Sequence, residues 1–174
     1  MKQSIGIRFI TKEDTEHILR WRNAPSVIEH FVYRKPLTKE EHLRWLETQV
    51  ATGKVAQFII EETESKKPIG SVYLRDIDTI HQKAEFGIFI GDDAVRGKGY
   101  GTQATFLILQ YAFEKLELNK VTLRVFAKNQ RAIHCYKKVG FIEDGRFRDD
   151  VYIDGEFHDM VFMSILKKEW ESRK

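Results

Sequence analysis

Cysteine is almost absent from this chain: Cys135 is the single thiol among 174 residues. An internal disulfide is thereby excluded, and neither Cys135 nor the six histidines stand at metal-ligand spacing, so no metal is expected. Cys135 reads as a small buried apolar residue rather than a nucleophile. Long apolar runs are missing too. No window approaches the roughly 20 apolar residues of a membrane span, and the amino terminus carries no apolar signal core. The expected setting is a reducing cytoplasm without a membrane partner. Nor does charge of one sign accumulate. The formal charge is +3, with bases interspersed among acids, which argues against a nucleic-acid partner. Repeats, low-complexity segments and flexible linkers are lacking, and three prolines are all that punctuate the chain. What remains, 42% apolar residues in a length usual for one domain, suffices for a single core over 1–174.

Six residues, Arg96-Gly97-Lys98-Gly99-Tyr100-Gly101, stand between a strand-like run over 85–90 and a long apolar helix pattern from about Thr102. Alternate glycines permit positive φ and leave no Cβ in the way, so successive amides can point into one concavity at a helix start. Such a cradle suits a pyrophosphate, with the helix dipole and the charges of Arg96 and Lys98 beside it. Two common phosphate folds do not fit. Counting from Gly97 and Gly99, the third glycine of a dinucleotide fingerprint falls on Thr102, and Gly101 precedes Thr102-Gln103 rather than the Lys-Ser or Lys-Thr of a nucleotide P-loop.

Further on, 121–127 alternates like a strand and leads into a segment from Asn129 to Phe141. Asn129 suits a helix N-cap, Tyr136 returns to nearly the same helix face, and Gly140 suits a left-handed helix end. Together the two segments resemble the signatures of the GNAT superfamily of N-acetyltransferases. The acetyl-coenzyme A loop Gln/Arg-x-x-Gly-x-Gly/Ala is met by Arg96, Gly99 and Gly101. The later pattern Asn-x-x-Ala-x-x-x-Tyr-x-x-x-Gly-Phe is met by Asn129, Ala132, Tyr136, Gly140 and Phe141. The resemblance covers 5–166, is sharpest over 85–141 and weakest over 24–54.

Periodicity predicts strands over 5–10, 55–61, 69–76 and 84–90, and a helix from a Thr11 cap to about Trp21. Pro25 interrupts the next stretch, and a second helix opens at a Thr38/Glu41 capping box. The helix from Thr102 carries Phe106, Leu109, Phe113 and Leu116 as one stripe, Asp154-Gly155 marks a two-residue hairpin, and 167–174 reads as a tail. This order suggests an α+β domain with a mixed, mostly antiparallel sheet. The resemblance implies the acyl-CoA N-acyltransferase fold. Within it, 1–54 is the acceptor-side strand and helices, 84–141 the acetyl-CoA-binding core and 142–166 the C-terminal strands.

By that resemblance the chain moves an acetyl group from acetyl-CoA to a primary amine by direct attack through a tetrahedral intermediate. An alkyl ammonium is neutral in only roughly one molecule in 2,500 at pH 7, so a proton acceptor is required. Glu85 matches the position of a general base in some family members, acting directly or through a water. Its other reading is a strand-end residue paired with Lys83 or Arg124. Phe89, Ile90 and Gly91 match the strand segment that splays and pairs with pantetheine, the Phe89 amide facing the thioester carbonyl. Arg96, Gly97, Lys98, Gly99, Tyr100, Gly101 and Thr102 hold the pyrophosphate, Asn129 the pantetheine, and Tyr136 protonates the departing thiolate. The first helices and last hairpin supply the acceptor wall, with Trp21, Glu29, Phe31 and Tyr33 as substrate-binding candidates.

Trp21-Arg22-Asn23 with Glu41-His42 looks like acetyltransferases of nucleotide-linked amino sugars, whereas 145–160 resembles the branch acting on ribosomal-protein N-termini. The acceptor stays open among a small amine, an amino-sugar nucleotide and a protein N-terminus, and a homodimer stays open with it. A non-catalytic acyl-CoA sensor on the same fold and an unrelated nucleotide-binding domain are the other classes. Glu85, Asn129 and Tyr136 together favour the enzyme.

Overall fold

The computed structural model describes residues 4–173; Met1 to Gln3 and Lys174, counted in the expected domain and tail, lie outside the described residues. Four alternating segments, β1 (Ile5–Phe9), β2 (Ala56–Glu62), β3 (Pro68–Asp78) and β4 (Lys83–Ile90), build an antiparallel meander. β5 (Lys120–Phe126) joins β4 in parallel, and β7 (Glu156–Leu166) pairs antiparallel with both β5 and β6 (Ile142–Ile153). The strand order is β1-β2-β3-β4-β5-β7-β6. A parallel neighbour requires a crossover, supplied by α4 (Tyr100–Gln110) and a wide turn at Tyr111–Lys115.

Side chains of β2 alternate between two apolar clusters, one on each face of the sheet. Ile59 packs with Ile18 and Trp21 of α1 (Thr15–Arg22) and with Leu46 beyond α3 (Lys39–Trp45). Phe58 and Ile60 belong to the larger cluster with Ile108 of α4 and Ile133 of α5 (Gln130–Val139). The short helix α2 (Pro25–Ile28) begins where Pro25 was expected to interrupt, because proline at a first helical position loses no hydrogen bond.

Other boundaries moved for identifiable reasons. Thr11 opens a 3-10 turn, Lys12–Asp14, before α1 starts at Thr15. The buried Asp14 carboxylate accepts both guanidinium N–H groups of Arg8, at 2.7 and 2.8 Å, and the Thr11 amide at 2.9 Å, which sets the angle of entry. Phe106 departs from its stripe and is 45% exposed, while Leu109 and Phe113 are buried. The expected tail instead forms α6 (Lys167–Glu171), whose Trp170 is 2% exposed beside Phe113. The Thr38/Glu41 capping box forms, with Glu41 N–H donating to Thr38 Oγ1 at 3.2 Å and Thr38 N–H to Glu41 Oε2 at 3.0 Å. Asp154 and Gly155 both take positive φ, +54° and +86°, as a two-residue hairpin turn demands.

One buried group makes stability depend on pH. His42 on α3 sets Nδ1 3.2 Å from Thr15 Oγ1, and its buried Nε2 has no hydrogen-bond partner among the described residues. Burial holds the imidazole below the usual histidine range, against the pull of Asp14. A depressed folded-state pKa gives stability that is present above about pH 6.5 and lost as pH falls, because the unfolded chain takes the proton first. Between pH 7.5 and 5.5 the melting temperature of the wild type is expected to fall further than that of His42→Leu. The scale is about 2–4 °C for each 1 kcal/mol in a chain of this size. Equal slopes in the two melting series refute the assignment.

Candidate active site

The single parallel contact of β4 is short. Lys83, Ala84 and Glu85 stand opposite Lys120, Val121 and Thr122, and beyond Glu85 the two strands part. The opening is a cleft of about 540 Å³ with Phe86, Ile88, Phe89 and Ile90 on one lip and Leu123, Arg124, Val125 and Phe126 on the other. Strand amides on its lips have lost their ladder partner and can serve a ligand instead.

Direction of those amides follows from the register. Gly91 N–H donates to Ile69 O at 2.9 Å, and a Cβ placed on Gly70 would lie 2.3 Å from the Phe89 carbonyl oxygen, so both residues turn their backbone groups toward β3. By the alternation of an antiparallel ladder, Ile88 and Ile90 present theirs to the open side. This corrects the expectation for the Phe89 amide and for Gly91, which does not line the cleft. Gly91 has another use: a Cβ there would sit 2.0 Å from Trp21 Cγ. Trp21, 3% exposed, is therefore a core residue and not an acceptor-binding one.

At one end of the cleft the 96–102 loop enters α4. Gly97 and Gly99 have φ of +84° and +79°, and added Cβ atoms at Gly97, Gly99 and Gly101 would meet nothing within 4 Å. The first intrahelical bond, Gln103 N–H to Gly99 O, leaves the amides of Tyr100, Gly101 and Thr102 outside the α4 ladder. Open, glycine-lined and amide-rich, the loop fits a diphosphate. The Arg96 guanidinium is engaged within the protein, held by Asp93 at 2.9 Å and donating to Ser26 O at 3.1 Å. Lys98 lies outside the cleft lining, with Nζ 6.0 Å from the Tyr100 ring centroid.

α5 forms the opposite wall. Asn129 caps it, its Oδ1 accepting from Ala132 N–H at 3.2 Å, and Gly140 ends it at φ +121°. Tyr136 packs edge-on to Phe86 at 5.7 Å and borders the cleft. Burial pushes its phenol well above the usual tyrosine range, and Cys135 and Tyr73 add to the effect. Cys135 is half-buried at the cleft rather than in the core, with Sγ 3.3 Å from Thr102 Oγ1. Arg131, His134 and Lys138 of the same helix also border the cleft. Their spacing of three and four along one helix face was the signal that could have found them.

On the α1 side, Glu85 Oε1 is shared by Arg75 Nη2 at 2.5 Å and Arg124 at 3.4 Å. Arg75 replaces the expected Lys83 as partner, because the β3–β4 register sets Arg75 directly opposite Glu85. Tyr73 stands opposite Gly87, where a Cβ would lie 2.4 Å from its hydroxyl; the missing side chain gives the ring its place in the cleft. Sequence reasoning passed over Tyr73, since only strand register brings it to the site. Phe31 lines the cleft, 5.9 Å from Phe89, whereas Glu29 lies outside and Tyr33 is 82% exposed.

A family model described as the acetyltransferase (GNAT) domain matches residues 4–142. The chain belongs to the GNAT acetyltransferase family. It is an acetyl-CoA-dependent N-acetyltransferase with the α+β acyl-CoA N-acyltransferase fold. Over 105 residues this GNAT chain is 39% identical to the putative ribosomal N-acetyltransferase YdaF of Bacillus subtilis (strain 168), covering 60% of the chain and 57% of that relative. Spermidine N(1)-acetyltransferase of Vibrio cholerae is 28% identical over 174 residues, 99% of either chain. The crystal structure of spermidine N-acetyltransferase from Vibrio cholerae in complex with CoA and spermine matches with a TM-score of 0.90. It has 27% identity and covers 97% of this chain and 98% of that one. Among the described residues no helix is long and apolar enough to cross a membrane, and no three His, Cys, Asp or Glu side chains cluster to hold a metal ion.

Proposed function

We propose that the GNAT chain acetylates the primary amine of a small molecule, with the parting of β4 from β5 beyond Glu85 as the observation that carries the reading. Acetyl-CoA supplies the activated acetyl thioester. The amides of 97–102 hold its diphosphate, while Asn129 and the open-side amides of Ile88 and Ile90 hold the pantetheine arm. Arg131 and Lys138 add positive charge along that wall. An open-side amide of β4 steadies the charge that builds on the thioester oxygen. Tyr136 hands its proton to the departing thiolate, and burial keeps it protonated over the working pH range.

Glu85 is the proposed proton acceptor, acting directly or through a water, with Oε1 held by Arg75 and Arg124. Phe31 forms part of the acceptor wall. The subdivision into an acceptor side over 1–54 and a cofactor core over 84–141 follows from these assignments. The full-length spermidine relatives put polyamines on the acceptor panel, and the ribosomal relative puts peptide N-termini there.

The test is acceptor-dependent release of free thiol from acetyl-CoA across amines, amino sugars and short peptides. Turnover with none of them, despite coenzyme A binding, would make the chain a sensor. Glu85→Gln is expected to lower kcat/KM by about 100-fold. An unchanged kcat/KM assigns the proton to another acceptor.

A further inference from the structure

The acceptor side of the cleft sets three guanidinium groups against two carboxylates, Glu85 and Asp76, the latter 3.8 Å from Arg75. Glu85 faces two guanidinium groups, Arg75 and Arg124, and a third stands close by. Arg22 leaves α1 with its Cζ 3.5 Å from the centroid of Phe31, a cleft-lining ring, and its Nη2 donates to Tyr33 O at 2.9 Å. Among the described residues, the buried Arg22 Nη1 has no hydrogen-bond partner and no carboxylate pairs with this side chain. The Tyr73 phenol, set in the cleft over Gly87, lies within electrostatic reach of Arg22, Arg75 and Glu85, and Arg124 joins this set through Glu85. Glu29, outside the lining, faces His30 at 3.6 Å and does not reach this set.

A buried guanidinium nitrogen without an acceptor is costly, and an arginine fork is built for the paired oxygens of a phosphate or carboxylate. We propose that the acceptor carries an anionic group, phosphate or carboxylate, beside its reactive amine, and that Arg22 and Arg124 recognise it. The inference rests on the N-acetyltransferase reading above and narrows its substrate class. Arg124, on the lip of the cleft and only partly covered, meets the anion first; Arg22 stands behind Phe31, outside the cleft lining, so its Nη1 meets the anion only once that ring moves. Polyamines bring extra cations to a wall with surplus cations, so spermidine is a poor acceptor despite the overall similarity to spermidine enzymes.

Matched acceptors that differ in the anion alone test this: glucosamine 6-phosphate against glucosamine, and β-alanine against β-alaninamide, with spermidine alongside. The expected result is a kcat/KM higher by about tenfold or more for the anionic member of at least one pair. Which pair shows it identifies phosphate or carboxylate. Arg22→Gln should bring that ratio toward one through KM, with Arg22→Lys retaining part of it. Should both variants fail to fold, Arg124→Gln and the loss of the wild-type ratio with added salt give the same readout. No preference in either pair, or preference for spermidine, overturns the proposal. Were no acceptor turned over at all, the enzymatic reading fails, and titration of the coenzyme A-saturated protein with glucosamine 6-phosphate and with glucosamine judges the anion site separately. Equal affinities there overturn it.

Discussion

Gly99→Glu is expected to lower coenzyme A affinity by at least about 100-fold, equivalent to about 2.7 kcal/mol. Two causes act together. Gly99 holds φ +79° as the residue that starts α4, and a side chain in that left-handed region costs about 1–2 kcal/mol unless the loop turns over. Turning over scatters the amides of Tyr100, Gly101 and Thr102, which lie outside the α4 ladder. The new carboxylate also projects into space where a Cβ meets nothing within 4 Å, the volume assigned to the diphosphate. Calorimetric titration with coenzyme A reads the effect. Gly99→Ala, which adds strain without charge, should lose less. A wild-type melting temperature beside unchanged affinity for Gly99→Glu would remove this loop from the binding site.

Tyr136→Phe is expected to lower kcat by about 10²–10⁴-fold with little change in coenzyme A affinity. The substitution keeps the ring that packs against Phe86 at 5.7 Å and Phe141 at 5.9 Å, so the fold is spared and the hydroxyl alone is tested. A pH profile separates donor from packing residue. Burial pushes the wild-type phenol up, so its ionisation produces no alkaline decline below about pH 10. A decline near neutral pH that disappears in Tyr136→Phe would contradict the buried, protonated donor. Wild-type kcat at saturating substrates would remove Tyr136 from the reaction.

Local signals in the sequence located the loop and the helix that border the cleft because they depend on neighbouring residues. The glycines at 97, 99 and 101 announce a bend and an amide cradle by their own conformational range. Asn129 and Gly140 mark the two ends of α5, and the Thr38/Glu41 box marks the start of α3. Trp21 misled because an aromatic beside Arg22-Asn23 looks the same whether it faces solvent, substrate or the core; its burial depends on Gly91, far away in the chain. Helix α6 was unreadable for a similar reason, since its short segment is held by Trp170 against Phe113 rather than by helical preference.

The sequence by itself determined the family, the glycine loop at the start of α4 and the helix caps, since each is written in residues a few positions apart whose backbone preferences act locally. Tertiary structure alone decided where β4 and β5 part, which amides face the gap, and which charges meet there. Arg75, Glu85 and Arg124 lie on three strands, and Arg22 and Tyr73 on a helix and a strand far apart in the chain. Their union depends on strand register, and register is a property of paired strands, which no single stretch of chain contains.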